Sequence, residues 1–170
     1  MKGHRLTTFV ALTLLAACAR DISFDVAYNI KEVSPNAKVR ATIDPALLQL
    51  KENSTERRFL VGPRKGSYDI GKALRYYFEN DRSSPVAISY VGSSLHWHRI
   101  QETRKSGFDA EYRISVVVQA ENGSRQAVIA KGNGRSLLSS VNACQEAIEN
   151  AVMVLYRESA ALSGLQLKPE

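Results

Sequence analysis

The chain has 170 residues, 44% of them apolar and 24% charged, with 23 Lys and Arg against 17 Asp and Glu and a formal charge of +6 at pH 7. This is the mix of one folded domain with a real core. The positive excess is small and dispersed, which argues against nucleic-acid binding and suits either a solvated surface or contact with acidic headgroups and glycan phosphates. No internal repeat or low-complexity block interrupts the chain.

Lys2 and Arg5 open the chain as a positive segment, and Leu6 to Ala17 follows as an apolar run, the shape of a secretory signal. A spanning helix needs roughly 20 apolar residues. This run is shorter, and Arg20 and Asp21 come directly after it. It closes on Leu15-Ala16-Ala17-Cys18. Ala16 and Ala17 would also serve an ordinary signal cleavage site; the cysteine separates the two readings.

The tetrapeptide resembles the lipobox of bacterial lipoproteins. That resemblance implies cleavage before Cys18, a diacylglyceryl thioether on its sulfur and acylation, as with palmitate, of the freed amine. Residues 1–17 would then be a signal peptide, 18–22 a lipidated anchor with a short tether, and 23–170 a single domain, with the covalent lipid in place of any other cofactor. Several acyl chains give stable anchoring, since each buried methylene contributes about 0.8 kcal/mol. Ala19, rather than Asp, after the cysteine implies for a Gram-negative host the outer membrane, on its periplasmic face. The mature chain keeps 21 basic against 17 acidic residues, a formal +4. Cys144 is left without a disulfide partner. Its place on an apolar helical stripe with Val141, Ile148 and Val152 makes it a buried, inert thiol.

Phe24, Val26, Tyr28 and Ile30 alternate with polar residues as a strand does, and Ser34-Pro35-Asn36 breaks the pattern. Val39, Ala41 and Ile43 resume it, and Asp44-Pro45 starts a helical turn through Leu48. The polar residues 51–58 read as an exposed loop. After Gly62-Pro63 and Gly66, residues 69–80 read as a helix burying Ile70, Leu74, Tyr77 and Phe78, with Lys72, Arg75 and Glu79 turned away. Residues 86–100 are strand-like, with Ile88, Tyr90, His96 and His98 on one parity and Val91, Leu95 and Trp97 on the other. Phe108 to Val118 alternates up to Asn122-Gly123, which predicts a type I′ hairpin turn. Residues 125–131 return with Ala127 and Ile129 on one face, and Gly132-Asn133-Gly134 ends that strand. A long helix follows from about Ser139 to Leu162, with Val141, Cys144, Ile148, Val152 and Leu155 inward. This order predicts an α+β, two-layer fold: a mainly antiparallel sheet of about four to five strands with two helices packed on one face.

The block from Tyr112 to Leu155, an alternating strand ending in Ala120-Glu121-Asn122-Gly123, a return strand and a helix, resembles the YajG-type outer-membrane lipoproteins. The lipopolysaccharide-assembly lipoprotein is similar in topology alone. The resemblance implies the fold and carries over no functional residue.

Three segments invite chemistry. His96 and His98, two apart on a strand, share a face as a metal site requires, but the nearest carboxylate in sequence is Glu102, so further ligands would have to come from elsewhere; an exposed sheet face is the plainer reading, and no metal is assigned. Gly62-Pro63-Arg64-Lys65-Gly66, read as a loop before a helix, would hold an anion with Arg57, Arg58 and Lys72; it lacks the Walker spacing. Gly92-Ser93-Ser94 lacks the second glycine of a nucleophile elbow. No catalytic residue is assigned. The expectation is a non-catalytic lipoprotein that binds or assembles another envelope component, a protein for preference, by a sheet face or strand edge. The alternatives are acidic glycolipid such as lipopolysaccharide on the basic loop, and a small enzyme or metal binder using His96 and His98.

Overall fold

Alternation becomes sheet most directly between Ala87 and Ser136, in a computed structural model that describes residues 21–24, 33–58, 62–102 and 105–165. The expected signal segment, Cys18, and Val26, Tyr28 and Ile30 of the first expected strand lie outside the described residues. In chain order the elements are β1 (Asp21–Phe24), a 3-10 turn (Pro35–Ala37), β2 (Val39–Ile43), α1 (Pro45–Leu48), β3 (Lys51–Arg58) and β4 (Gly62–Asp69). There follow α2 (Ile70–Leu74), β5 (Phe78–Asn80), β6 (Ala87–Glu102), β7 (Lys105–Gln119), β8 (Arg125–Ser136) and α3 (Ser140–Leu162). The fold is α+β. A five-stranded sheet runs β5-β2-β6-β7-β8, and a separate three-stranded sheet runs β1-β4-β3.

Strands β6, β7 and β8 form an antiparallel meander, with β2 added parallel to β6 and β5 parallel to β2. The turn between β7 and β8 differs from the expected type I′. The Gly123 and Ala120 amides donate to the carbonyls of Ala120 and Ser124, each at 2.9 Å. Gly123 alone in the turn takes a positive φ, +77°. This is the three-residue loop in which a type I turn ends on a left-handed glycine.

Helix α3 lies across the inner face of β7 and β8. Ser139 caps it, its hydroxyl accepting from the Val141 amide at 3.1 Å. The stripe Val141, Cys144, Ile148, Val152 and Leu155 is wholly buried, and each such side chain contributes about 1.5–3 kcal/mol. Gly132 and Gly134 do not end β8; they sit inside it, under the helix. A Cβ on Gly132 would come 2.0 Å from the Ala147 carbonyl oxygen, and one on Gly134 2.1 Å from that of Ala143. Strand glycine here allows another backbone to approach, and Ala143, Ala147 and Ala151 supply the matching small face.

Three further expectations differ from the fold. The helix over 69–80 shrinks to α2, because Phe78–Asn80 pairs with Val39–Ala41 of β2; long-range pairing overrides an amphipathic local pattern. Ile70, Leu74, Tyr77 and Phe78 are nevertheless buried as expected. The second difference is residues 51–58, which are strand β3 and not a loop. Its inward residues are Ser54 and Glu56, polar side chains that a hydrophobic pattern does not detect. Third, Gly62–Gly66 belongs to β4, antiparallel to β3. The small sheet packs on the N-terminal end of α3 through polar bonds. The Tyr68 phenol lies 3.0 Å from the Ser54 hydroxyl and donates to the Val141 carbonyl at 2.9 Å. The Glu56 carboxylate accepts from the hydroxyls of Ser139 and Ser140 at 3.1 and 3.2 Å.

Candidate functional site

A β-bulge decides which side chains β6 shows to solvent. Tyr90 pairs with Val116, but Gly92 already pairs with Ser115, so Val91 is extra and 65% exposed. One extra residue reverses the alternation. Ile88 and Tyr90 before the bulge, and Ser93, Leu95 and Trp97 after it, therefore stand over the buried Val118, Val116, Ile114, Tyr112 and Ala110. Asp44, the cap of α1, accepts the Tyr90 amide at 3.2 Å and pins the irregularity. The indole of Trp97 meets Phe108 edge to face, with centroids 6.0 Å apart. His96 and His98 are left on the outer face, both exposed.

The register then brings carboxylates that are distant in sequence. His96 lies opposite Glu111, and His98 opposite Asp109. On the far side of β7, Asn133 faces Glu111 and Arg135 faces Asp109. Arg135 Nε is 3.3 Å from Asp109 Oδ1, and Arg113 Nε donates to Glu111. That bond, aided by the charges of Arg113, Lys131 and His96, holds the Glu111 carboxyl below the usual range. His96, His98, Asp109, Glu111, Asn133 and Arg135 line a groove of about 430 Å³ that also reaches Glu146 of α3. Farther along, the outer face turns apolar, with Val117 across from Ala127, and Ile129, 60% exposed, across from Ser115.

The β8 edge is half closed. Glu146 accepts the Arg135 amide at 2.9 Å and Asn150 donates to the Asn133 carbonyl at 2.7 Å. These caps blunt the edge beside the charged rows. Residues 127–131 lie beyond them.

Among the described residues no three His, Cys, Asp or Glu side chains are arranged to hold a metal. Asp109 and Glu111 are engaged by arginines. The face is a set of donors and acceptors of both signs beside an apolar strip.

The expected anion cradle is assembled differently. Arg57 and Arg58 end β3, in register with Pro63 and Gly62. Arg64 and Lys65 are neighbours on a strand and so point to opposite faces. Helix α2 starts not on a free N-terminus but on Asp69, whose carboxylate accepts the Lys72 amide at 2.9 Å. Arg64, Lys65 and Lys72 thus do not converge on a helix start, and the side chains of Arg57 and Arg58 lie outside what the structure describes. A second groove, about 500 Å³, lies at the other end of the domain by Lys38, Arg40, Asp81 and Leu165. Its charges are used internally: Arg40 pairs with Glu79, and Asp81 accepts from Ser83.

Cys144 is a free, buried thiol. Burial pushes it up to about 11, so it stays protonated and unreactive at neutral pH. The Tyr112 phenol is buried with no hydrogen-bond partner among the described residues, and burial raises it well above the ordinary phenol range. Neither group reaches the outer face. Sequence reasoning missed Asp109, Glu111, Arg113 and Arg135. The hairpin turn could have aligned Asp109 with Arg135; their relation to His96 and His98 is set by the β6–β7 register that starts at Glu102 and Lys105, where the sequence carries no Asn-Gly type of turn signal.

Neither a scan against protein-family models nor a search of curated proteins finds a match for this chain.

Proposed function

We propose that this protein is a lipoprotein anchored by Cys18 to the outer membrane, facing the periplasm, and that it binds or assembles another envelope protein without catalysing a reaction. The lipid gives position; the outer face of β6–β7–β8 gives recognition. The observation that carries this reading is that face itself. It presents polar rows (His98, Asp109 and Arg135; His96, Glu111 and Asn133) that include both signs of charge, in Asp109, Glu111 and Arg135, beside the apolar strip of Val91, Val117 and Ile129. Polar groups around an apolar strip suit a protein surface, where fit and charge matching give specificity.

The test is affinity capture from envelopes after crosslinking in vivo, comparing the wild type with Cys18→Ala and with a Lys131→Glu/Arg135→Glu double variant, and identifying both proteins and lipids. One reproducible protein lost in both variants supports the reading. Enrichment of acidic glycolipid without a protein, weakened by salt, would replace it with a glycolipid-binding role.

A further inference from the structure

One pole of the domain gathers the start of β1, the end of β3, the end of β8 and the start of α3. Asp21 pairs with Lys65 on β4, and the adjoining Arg64 pairs with Glu56 on β3. Glu56 in turn holds Ser139 and Ser140 at the head of α3. Directly before Ser139 stand Leu137 and Leu138, 68% and 78% exposed. Their neighbour across the sheet is β7, where Gly107 faces the Leu137 side chain. Ser136 pairs with Phe108, so the ends of β7 and β8 meet here too.

We infer that this pole rests against the bilayer holding the Cys18 lipid, with Leu137 and Leu138 seated at the boundary of headgroups and acyl chains. The inference rests on the proposed lipidation. Two residues, Ala19 and Arg20, separate Cys18 from Asp21, a reach of roughly 10 Å at full extension. The anchor therefore cannot travel far from the pole where β1 begins. Two adjacent exposed leucines in a turn are the apolar element an interface takes up. Arg64, half-buried, and Lys65 and Arg99, exposed, stand at the same pole, and cations there are attracted to anionic headgroups. The seating also orients the proposed recognition face. Strands β6–β8 rise from the membrane with Arg135 near it, and Ile129, six residues along β8, roughly 20 Å farther out.

The test uses the full lipidated chain in vesicles of phosphatidylethanolamine and phosphatidylglycerol. Leu138→Trp is compared with Gln126→Trp at the far end of β8, after subtracting the emission of native Trp97. Brominated acyl chains should quench the added emission about twofold at position 138, at the depth an interfacial side chain reaches, and leave position 126 unchanged. Leu137→Ser/Leu138→Ser, which disturbs only exposed side chains, should float with the vesicles and become more accessible to protease at this pole. Chain that floats while positions 138 and 126 quench equally overturns the seating and spares the anchoring. Chain that does not float at all overturns both.

Discussion

On its inner face the β6–β7–β8 sheet presents Tyr112, Ile114, Val116 and Val128, all buried under α3. On its outer face the intervening residues are His96, His98, Glu111, Arg113 and Arg135, and no described element covers them. The same alternating strands make both. The inner face is fixed by close packing, down to glycines that let α3 touch β8. The outer face carries groups whose mutual pairing in water is worth little, about 0–1 kcal/mol for an exposed ion pair. Stability should therefore depend on one face and recognition on the other.

The strongest way to break this division is Gly132→Val. Its Cβ would meet the Ala147 carbonyl oxygen at 2.0 Å and the Ala151 amide nitrogen at 2.3 Å. Backbone cannot yield as a flexible side chain can, so urea unfolding should show a loss of about 3 kcal/mol or more.

Alkaline pH probes the same interior more gently. The Cys144 thiol, ordinarily ionising near 9, is pushed up to about 11. The folded state therefore binds this proton more tightly than the unfolded chain. Its contribution is complete below pH 9 and is lost as pH rises from 9 through 11. The fall should be on the order of 2 kcal/mol, and Cys144→Ala should flatten it in urea titrations. Tyr68 and Tyr112, also raised by burial, extend the loss to higher pH.

Glu56→Ala tests whether the small sheet is held by hydrogen bonds. It leaves the Ser139 and Ser140 hydroxyls without the carboxylate they bond, and should cost about 1–3 kcal/mol. Glu56→Gln, which keeps an acceptor, should cost less in the same thermal melts. The smallest effect belongs to the outer face. Arg135→Ala removes the exposed pair with Asp109 but keeps the backbone bond to Glu146, and stability should change by no more than about 0.5 kcal/mol.

What could be read in the sequence follows the same division. The inward residues of α3 and the alternation of β7 rest on local hydrophobic periodicity, the helical turn at Asp44-Pro45 on proline's fixed φ at a first helical position, and each stands as expected. Residues 51–58 were unreadable because β3 buries Ser54 and Glu56 and meets its partners through hydrogen bonds. Gly132 and Gly134 read as punctuation, although their meaning lies in a helix backbone nine or more residues away. At the site, the outward parity of His96 and His98 was visible. Their meeting with Glu111 and Asp109 depends on the pairing of β6 with β7, whose register runs unbroken from Glu102 and Lys105 to Gly92 and Ser115; the bulge at Val91 decides only that they face away from Ile88 and Tyr90.

The most direct measurement of the account is photo-crosslinking in the envelope from single positions: Ile129 on the outer face, and Glu158 on the exposed side of α3. A discrete adduct of one mass is expected from position 129, abolished by Lys131→Glu/Arg135→Glu in a protein whose melting is unchanged, and none from position 158. Equal adducts from both positions, or an adduct from 158 alone, would contradict the assignment of recognition to the open sheet face.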